Sequence, residues 1–336
     1  MNGAFLAVML GAAGAWGETE FLKNMHKAEG RREPEERIEY YSRALRAWEP
    51  SDGSELLANC HFRRGEARFE RYEFDEAEPD LSKSIELDPG NARAYLLRGR
   101  VHLRRGRAAE AARDFSAYTA FSPQDIEGFL ALGEARQKNG QFNAALRAYD
   151  RGAALDPSDW RPAFGVGRAW MARKRWEQAL EQLDKADEAA RHSSPEVLSE
   201  RAVCRVALGQ HQKASYDYND AIAVHDRKLQ DMARARAMDA AVVEYQIQVA
   251  RAYFGRGRLN EFLVRPREAI ADYVEACRLG HKEACGRAEA LAGRAEVKPK
   301  AAAPKEKGPE TPKKVEKRRK RLPKPGSESG ERIYAN

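Results

Sequence analysis

The chain has 336 residues, 33% of them charged, which is long for one compact core and ordinary for a repeat array. Alanine, arginine, glutamate and leucine dominate and β-branched residues are scarce, a mixture that favours helix. The net charge of +7 sits in one place: residues 296–336 hold 13 Lys/Arg against 6 Glu, so the rest is neutral, which argues against a body that binds nucleic acid by bulk charge. The four cysteines, Cys60, Cys204, Cys277 and Cys285, are too few and too scattered for a disulfide framework and leave the redox compartment open.

Residues 1–17 differ from the rest of the chain. Ala4 to Ala15 is uncharged and apolar, and Ala13-Gly14-Ala15 has the small-x-small form of a cleavage site. This reads as a signal peptide and predicts an exported, periplasmic-type location. No Lys or Arg precedes the apolar run, so the alternative is an uncleaved anchor or a packed helix, with a cytoplasmic location. The run falls short of the roughly 20 residues a spanning helix needs, and no other segment approaches that length. Residues 18–57 place Phe21, Leu22, Met25, Ile38, Tyr41, Ala44 and Leu45 before Pro50, the pattern of a degenerate N-terminal helical hairpin.

From residue 58 the chain is periodic. Gly65, Gly99, Gly133 and Gly167 stand 34 apart, as do Ala77, Ala111, Ala145 and Ala179, and Pro89, Pro123 and Pro157. Glycine and alanine at fixed offsets let two antiparallel helices cross closely. Each proline ends the second helix, as in Ile85-Glu86-Leu87-Asp88-Pro89. Gly106, Gly140 and Gly209 end the first. Phe74, Phe142 and Trp176 follow the turns. A 34-residue helix–turn–helix of this kind resembles the tetratricopeptide repeat. Units run 58–91, 92–125, 126–159, 160–194 and 195–228, with Ala202 replacing the glycine of the fifth. The positions that the family keeps small or apolar fall on Ala77, Leu81 and Ser84; Ala111, Phe115 and Tyr118; Ala145, Tyr149 and Gly152; Ala179, Leu183 and Ala186; Ala214, Tyr218 and Ala221. Three arginines, Arg64, Arg98 and Arg201, depart from it at a position that is usually apolar. Tyr118 and Gly152 depart where alanine is usual. The resemblance implies an all-α, right-handed α-solenoid of about six to seven hairpins.

Residues 229–295 read as a degenerate C-terminal repeat and a capping helix. Val243–Phe254 is expected to pair with Arg267–Leu279 across a longer turn containing Pro266, and Glu283–Arg294 to close the stack. Residues 276–285 look somewhat like a Sel1-like repeat. Residues 296–336 lack the apolar residues to offset ordering entropy and are expected to be a disordered basic tail. Its densest run holds Lys313, Lys314, Lys317, Arg318, Arg319, Lys320 and Arg321, suited to tethering on an anionic surface or nucleic acid.

No catalytic motif is present, so no enzyme activity, cofactor or small-molecule substrate is expected. Cys277, His281 and Cys285 have metal-ligand spacing, but Leu279-Gly280 should end the helix before His281, and no metal is assigned. Gly165-Val166-Gly167 and Gly255-Arg256-Gly257 follow no strand and are not phosphate loops. In the family, four positions of the first helix line the concave face. Here they include Phe62, Glu66 and Phe69; Arg93, Leu96, Arg100 and Leu103; Glu127, Leu130, Glu134 and Gln137; Arg161, Phe164, Arg168 and Met171. Two apolar tracks with charges of alternating sign would bind a peptide or partner protein. The competing use of the Glu and Arg residues is pairing with each other across neighbouring units. Phe62 and Glu66 occupy positions where a carboxylate clamp needs Lys and Asn, so that role is disfavoured. The expected function is a non-catalytic interaction scaffold. The alternative is an RNA-binding helical-repeat protein, against which Glu66, Glu127 and Glu134 stand.

Overall fold

A computed structural model describes residues 18–234 and 239–296, and every regular element among them is helical. The chain divides into two units, Met1–Ala295 and Glu296–Asn336. The expected signal peptide and the expected basic tail from residue 297 onward lie outside the described residues. No helix of the described residues is long and apolar enough to cross a membrane.

The first unit is an α-solenoid. Helices α1 (Glu20–Glu29) and α2 (Pro34–Ala47) make the first hairpin, and a 3-10 turn at Pro50–Asp52 leads on. Five hairpins follow: α3 (Ser54–Glu70) with α4 (Phe74–Leu87), α5 (Ala92–Arg104) with α6 (Ala108–Phe121), α7 (Ile126–Lys138) with α8 (Phe142–Leu155), α9 (Trp160–Ala172) with α10 (Trp176–Ala189), and α11 (Pro195–Ala207) with α12 (His211–Arg234). The last pairs α13 (Asp239–Phe262) with α14 (Pro266–Arg278), and α15 (Lys282–Glu296) closes the stack. Each helix packs on its chain neighbours. The first helices α3, α5, α7, α9, α11 and α13 also touch in succession and form the inner layer.

Local chemistry sets these boundaries. The side chains of Asn91, Asp125, Asp159 and Ser194 each accept a backbone N–H of the following first helix, which satisfies one of its orphan donors. The turn inside each hairpin from α3 onward has one residue in the left-handed region. Gly106, Gly140 and Gly209 supply it at φ 73°, whereas Tyr72, Lys174 and Val264 adopt φ 62°, 56° and 59° at the equivalent places.

The small residues are explained by what they face. A Cβ on Gly99 would come within 2.7 Å of the Phe115 ring, and one on Gly133 within 2.5 Å of Tyr149. Both G-x-G segments have the same origin. Gly165 faces Tyr149 of the preceding hairpin and Gly167 faces Leu183; Gly255 faces Tyr218 and Gly257 faces Tyr273. They are packing positions against side chains on two successive hairpins. Tyr118 is accommodated because Gly128 of the next repeat leaves room for its ring.

The three departing arginines also have a cause. Arg64 donates to Asp80 through Nε (2.8 Å) and Nη2 (2.7 Å). Arg98 does the same to Asp114, Arg201 to Asp217 and Arg256 to Asp272. Arginine and aspartate lie 16 residues apart in all four, and the aspartates are buried. Burial alone would raise Asp80, but hydrogen bonds from His61 and Arg64 bring its carboxyl below the usual range. In α7/α8 the two places hold buried Leu132 and Ala148 instead. Hairpins of one backbone design thus use an ion pair or an apolar contact at the same crossing.

One expectation near the C-terminus is corrected. The first helix of the last repeat does not end at Phe254: α13 runs on to Phe262, so the turn is Leu263–Arg265, no longer than the others, and Pro266 opens α14 instead of lying in a longer turn. Gly257, Ala269, Tyr273 and Ala276 then repeat the array's internal spacing. Gly257 stands 55 residues after Ala202 rather than 34, an insertion of 21 residues. The insertion lengthens α12 and α13 to 24 residues each, where α10 has 14. The extra turns pack on one another through Leu229, Met232, Tyr245 and Val249. Cys277 and Cys285 are disulfide-bonded, which removes both from metal ligation. Between them Gly280 turns the chain at φ 94° and the His281 ring stacks on Phe254 at 4.1 Å.

Candidate functional site

The inner layer carries a run of three hollows that share residues. The first, about 350 Å³, lies between α5, α7 and α9 and is lined by Arg100, Leu103, Glu127, Leu130, Glu134, Arg161, Phe164 and Arg168, with Trp160 at its edge. The second runs from Gln137 past Arg168, Met171 and Trp176 to Glu200. The third, about 490 Å³, lies between α11 and α13 and is lined by Ser199, Glu200, Val203, Val206, Arg251, Phe254, Arg258 and Phe262, with Tyr218 at its floor. Arg168 and Glu200 each line two hollows, so the groove is continuous from α5 to α13.

This arrangement sorts the expected groove residues. Arg100, Leu103, Glu127, Leu130, Glu134, Arg161, Phe164 and Arg168 are brought together, and Met171 joins them at the second hollow. Leu96 and Phe69 are half-buried against neighbouring cores. Phe62 is a correction: at 4% exposure it belongs to the core with Leu81, Ile85 and Leu97, because the α3/α4 crossing encloses its ring. Glu66 is held by Arg63 and by Arg93, both at 3.1 Å. Glu127 pairs with Arg161, and Glu134 with Lys138 at 2.8 Å. The expected cross-unit pairing of Glu and Arg is therefore present for Arg93 and Arg161. Arg100 and Arg168 have no ion pair among the described residues. The Arg168 guanidinium lies 5.8 Å from the Phe164 ring centre.

The tetratricopeptide repeat family model matches residues 62–126 and 130–194. None of the curated proteins matches the chain. Among solved structures, the chain is similar to a tetratricopeptide repeat protein from Parabacteroides merdae at 13% identity and TM-score 0.61, over 81% of this chain and 99% of that one. It is also similar to pilF of Pseudomonas aeruginosa, at 17% identity and TM-score 0.49 over 70% and 99% of the two chains. YrrB, a tetratricopeptide repeat protein with an unusual peptide-binding site, matches at 21% identity and TM-score 0.43 over 56% and 93%. The Parabacteroides likeness carries the fold. The repeat fold serves mostly as an interaction scaffold.

The C-terminal third of the groove was not legible in the sequence. Ser199, Val203 and Val206 of the fifth repeat occupy the places that Phe164, Arg168 and Met171 hold in the fourth. Arg251, Phe254 and Arg258 fall in the corresponding stripe of the last repeat, once its register is taken from Gly257 rather than from the 34-residue period. Val203 and Phe262 stay 38% and 66% exposed. Glu200, at the junction of two hollows, has its carboxyl raised above the usual range by burial, against the attraction of Arg168 and Arg251. Cys60 and Cys204 are buried, and burial pushes each thiol up to about 12, which leaves neither as a nucleophile at neutral pH.

Proposed function

We propose that the chain is a non-catalytic scaffold that holds a peptide or a partner protein along the inner-layer groove. The observation that carries this reading is the continuity of the groove from Arg100 to Phe262, with large apolar side chains left part-exposed between charges. Exposed apolar stretches rimmed by polar groups mark interaction sites. The groove carboxylates Glu127, Glu134 and Glu200 disfavour the RNA alternative. A photo-crosslinking residue at Val203, in cells that make the protein, should join it to a partner. Phe164→Ala with Phe254→Ala should weaken that capture and leave the circular-dichroism spectrum unchanged. Capture that ignores both substitutions would place the partner elsewhere.

We further propose that residues 296–336 tether the protein electrostatically to an anionic surface, and that residues 1–17 direct export. The Cys277–Cys285 disulfide supports an oxidising compartment. Truncation at residue 296 should abolish salt-sensitive retention on anionic vesicles. The intact mass of the native protein should correspond to a start near Trp16 or Glu18. Unchanged retention, or full-length mass in the cytoplasm, counts against the respective part.

A further inference from the structure

The charges of the groove are not balanced, and the imbalance says what enters it. On α5 the inner stripe reads Arg93, Leu96, Arg100, Leu103; on α9 it reads Arg161, Phe164, Arg168, Met171; on α13 it reads Arg251, Phe254, Arg258, Phe262. The spacing of 3, 4 and 3 or 4 keeps each set on one helix face. The neighbouring first helices carry the glutamates: Glu66 on α3, Glu127 and Glu134 on α7, and Glu200 on α11. Glu66, Glu127 and Glu134 are answered by neighbouring cations of the array: Glu66 by Arg63 and by Arg93 of the next repeat, Glu127 by Arg161 of the next repeat, Glu134 by Lys138. Arg100, Arg168, Arg251 and Arg258 have neither a hydrogen bond nor an ion pair among the described residues. Glu200 lies in the field of Arg168 and Arg251 without a hydrogen bond to either, and one carboxylate cannot neutralise both.

We propose that the groove's occupant is an acidic segment of a partner protein, one that alternates Asp or Glu with large apolar residues; this rests on the groove being the binding face. Four unpaired guanidinium groups are set among Leu103, Phe164, Phe254 and Phe262. A guanidinium presents a planar fork of donors that matches a carboxylate, and it keeps its charge at any physiological pH. Arg168, lying against the Phe164 ring, is already partly oriented, so less rotamer freedom is lost on binding. The apolar side chains between the arginines take the apolar residues of the segment. A polyphosphate backbone satisfies the cations but leaves the apolar surface of Leu103, Phe164, Phe254 and Phe262 wet. The protein ligand is favoured over nucleic acid for that reason.

The test is fluorescence anisotropy on the full chain with four labelled probes. Three are peptides of about 14 residues, long enough to span several repeats when extended, that alternate Leu and Phe with Asp and Glu, with Lys and Arg, or with Ser and Gln; the fourth is a uridine RNA of matching length. The acidic peptide should bind about tenfold or more tighter than either other peptide, the size expected of one or two charge-assisted hydrogen bonds. Its affinity should fall as salt rises. Arg168→Gln with Arg258→Gln should weaken it about tenfold while leaving the circular-dichroism spectrum unchanged. Acidic-peptide binding that ignores this double substitution belongs to the basic residues beyond 296 and overturns the proposal. A neutral or basic peptide that binds as well, and is lost in Phe254→Ala, overturns the acidic ligand and keeps the groove. RNA bound in preference to every peptide overturns the acidic ligand too. If no probe responds to substitution of Phe164 or Phe254, the groove as binding face itself falls.

Discussion

The stretch from α3 to α11 and the stretch from α12 to α15 are built by the same rule and look different. In the first, hairpins follow one another every 34 residues, with one residue inserted before α11. In the second, 21 inserted residues push the last repeat out of phase, yet Gly257, Ala269, Tyr273 and Ala276 take the places of their counterparts and Arg256 still grips Asp272. The insertion is absorbed by lengthening two antiparallel helices, which bury each other's extra turns and leave the crossing untouched. A repeat is therefore defined by contacts between adjacent helices and not by its phase in the chain, as expected of a quasi-one-dimensional array.

The largest expected effect tests the crossing itself. Asp272→Ala leaves Arg256 and Asn260 facing an emptied buried site, and should cost about 3–5 kcal/mol. Adding Arg256→Leu, which copies the Leu132 and Ala148 arrangement of α7/α8, should recover most of that. Chemical denaturation read through hydrogen exchange in α13 and α14 measures both. A loss below about 1 kcal/mol would reduce the pair to the rank of a surface bridge.

Glycines sharpen the comparison next. At Gly257 a Cβ would come within 2.8 Å of the Tyr273 ring, whereas at Gly152 the nearest side-chain atoms are 3.6 Å away. Gly257→Ala should therefore destabilise by about 1–3 kcal/mol through overpacking. Gly152→Ala should stabilise by about 1 kcal/mol through helix propensity. The two melting temperatures should move in opposite directions; movement in the same direction breaks the claim that these glycines differ in kind.

The turns differ too. Val264 is a β-branched residue at φ 59°, where the repeats at Gly106, Gly140 and Gly209 use glycine. Val264→Gly should stabilise the last hairpin by roughly 1 kcal/mol, seen as slower hydrogen exchange in α13 and α14. Unchanged or faster exchange would show that the valine is not strained there.

The smallest effect is confined to the long helices. His225 is buried, lies 2.8 Å from the Tyr245 hydroxyl, and has its pKa lowered by burial. A base whose folded pKa is depressed is neutral in the fold and takes up its proton in the unfolded chain first. Stability is then lost as pH falls below the unfolded value near 6.5. His225→Gln should make the melting temperature less sensitive to pH between about 7.5 and 5.5. An identical slope in both proteins would remove His225 from the account.

The array was legible where one residue type recurs at one spacing. Gly65, Gly99, Gly133 and Gly167 announce a close crossing, because a side chain there would meet the facing helix. The register of the last repeat was not legible, because an insertion removed its phase and its first helix was expected to end at Phe254. Phe62 read as a groove residue because family position alone does not tell which side of a ring the next helix covers. The arginines at 64, 98 and 201 read as departures, since the aspartate 16 residues away matters only once two helices are antiparallel.

The helical class, the hairpin unit, its turns and its caps are written in the order of residues. They depend on interactions within a few residues or between adjacent helices: proline stops, left-handed glycines, and side chains accepting backbone N–H groups. Which charges are spent on the fold and which are left to a partner was settled by packing between hairpins. Arg98 and Arg100 are two residues apart and chemically identical. Arg98 is bound to buried Asp114, and Arg100 lines the groove with no carboxylate paired to it among the described residues. Helical geometry sends them to different faces, and only the packing of neighbouring helices says what each face meets.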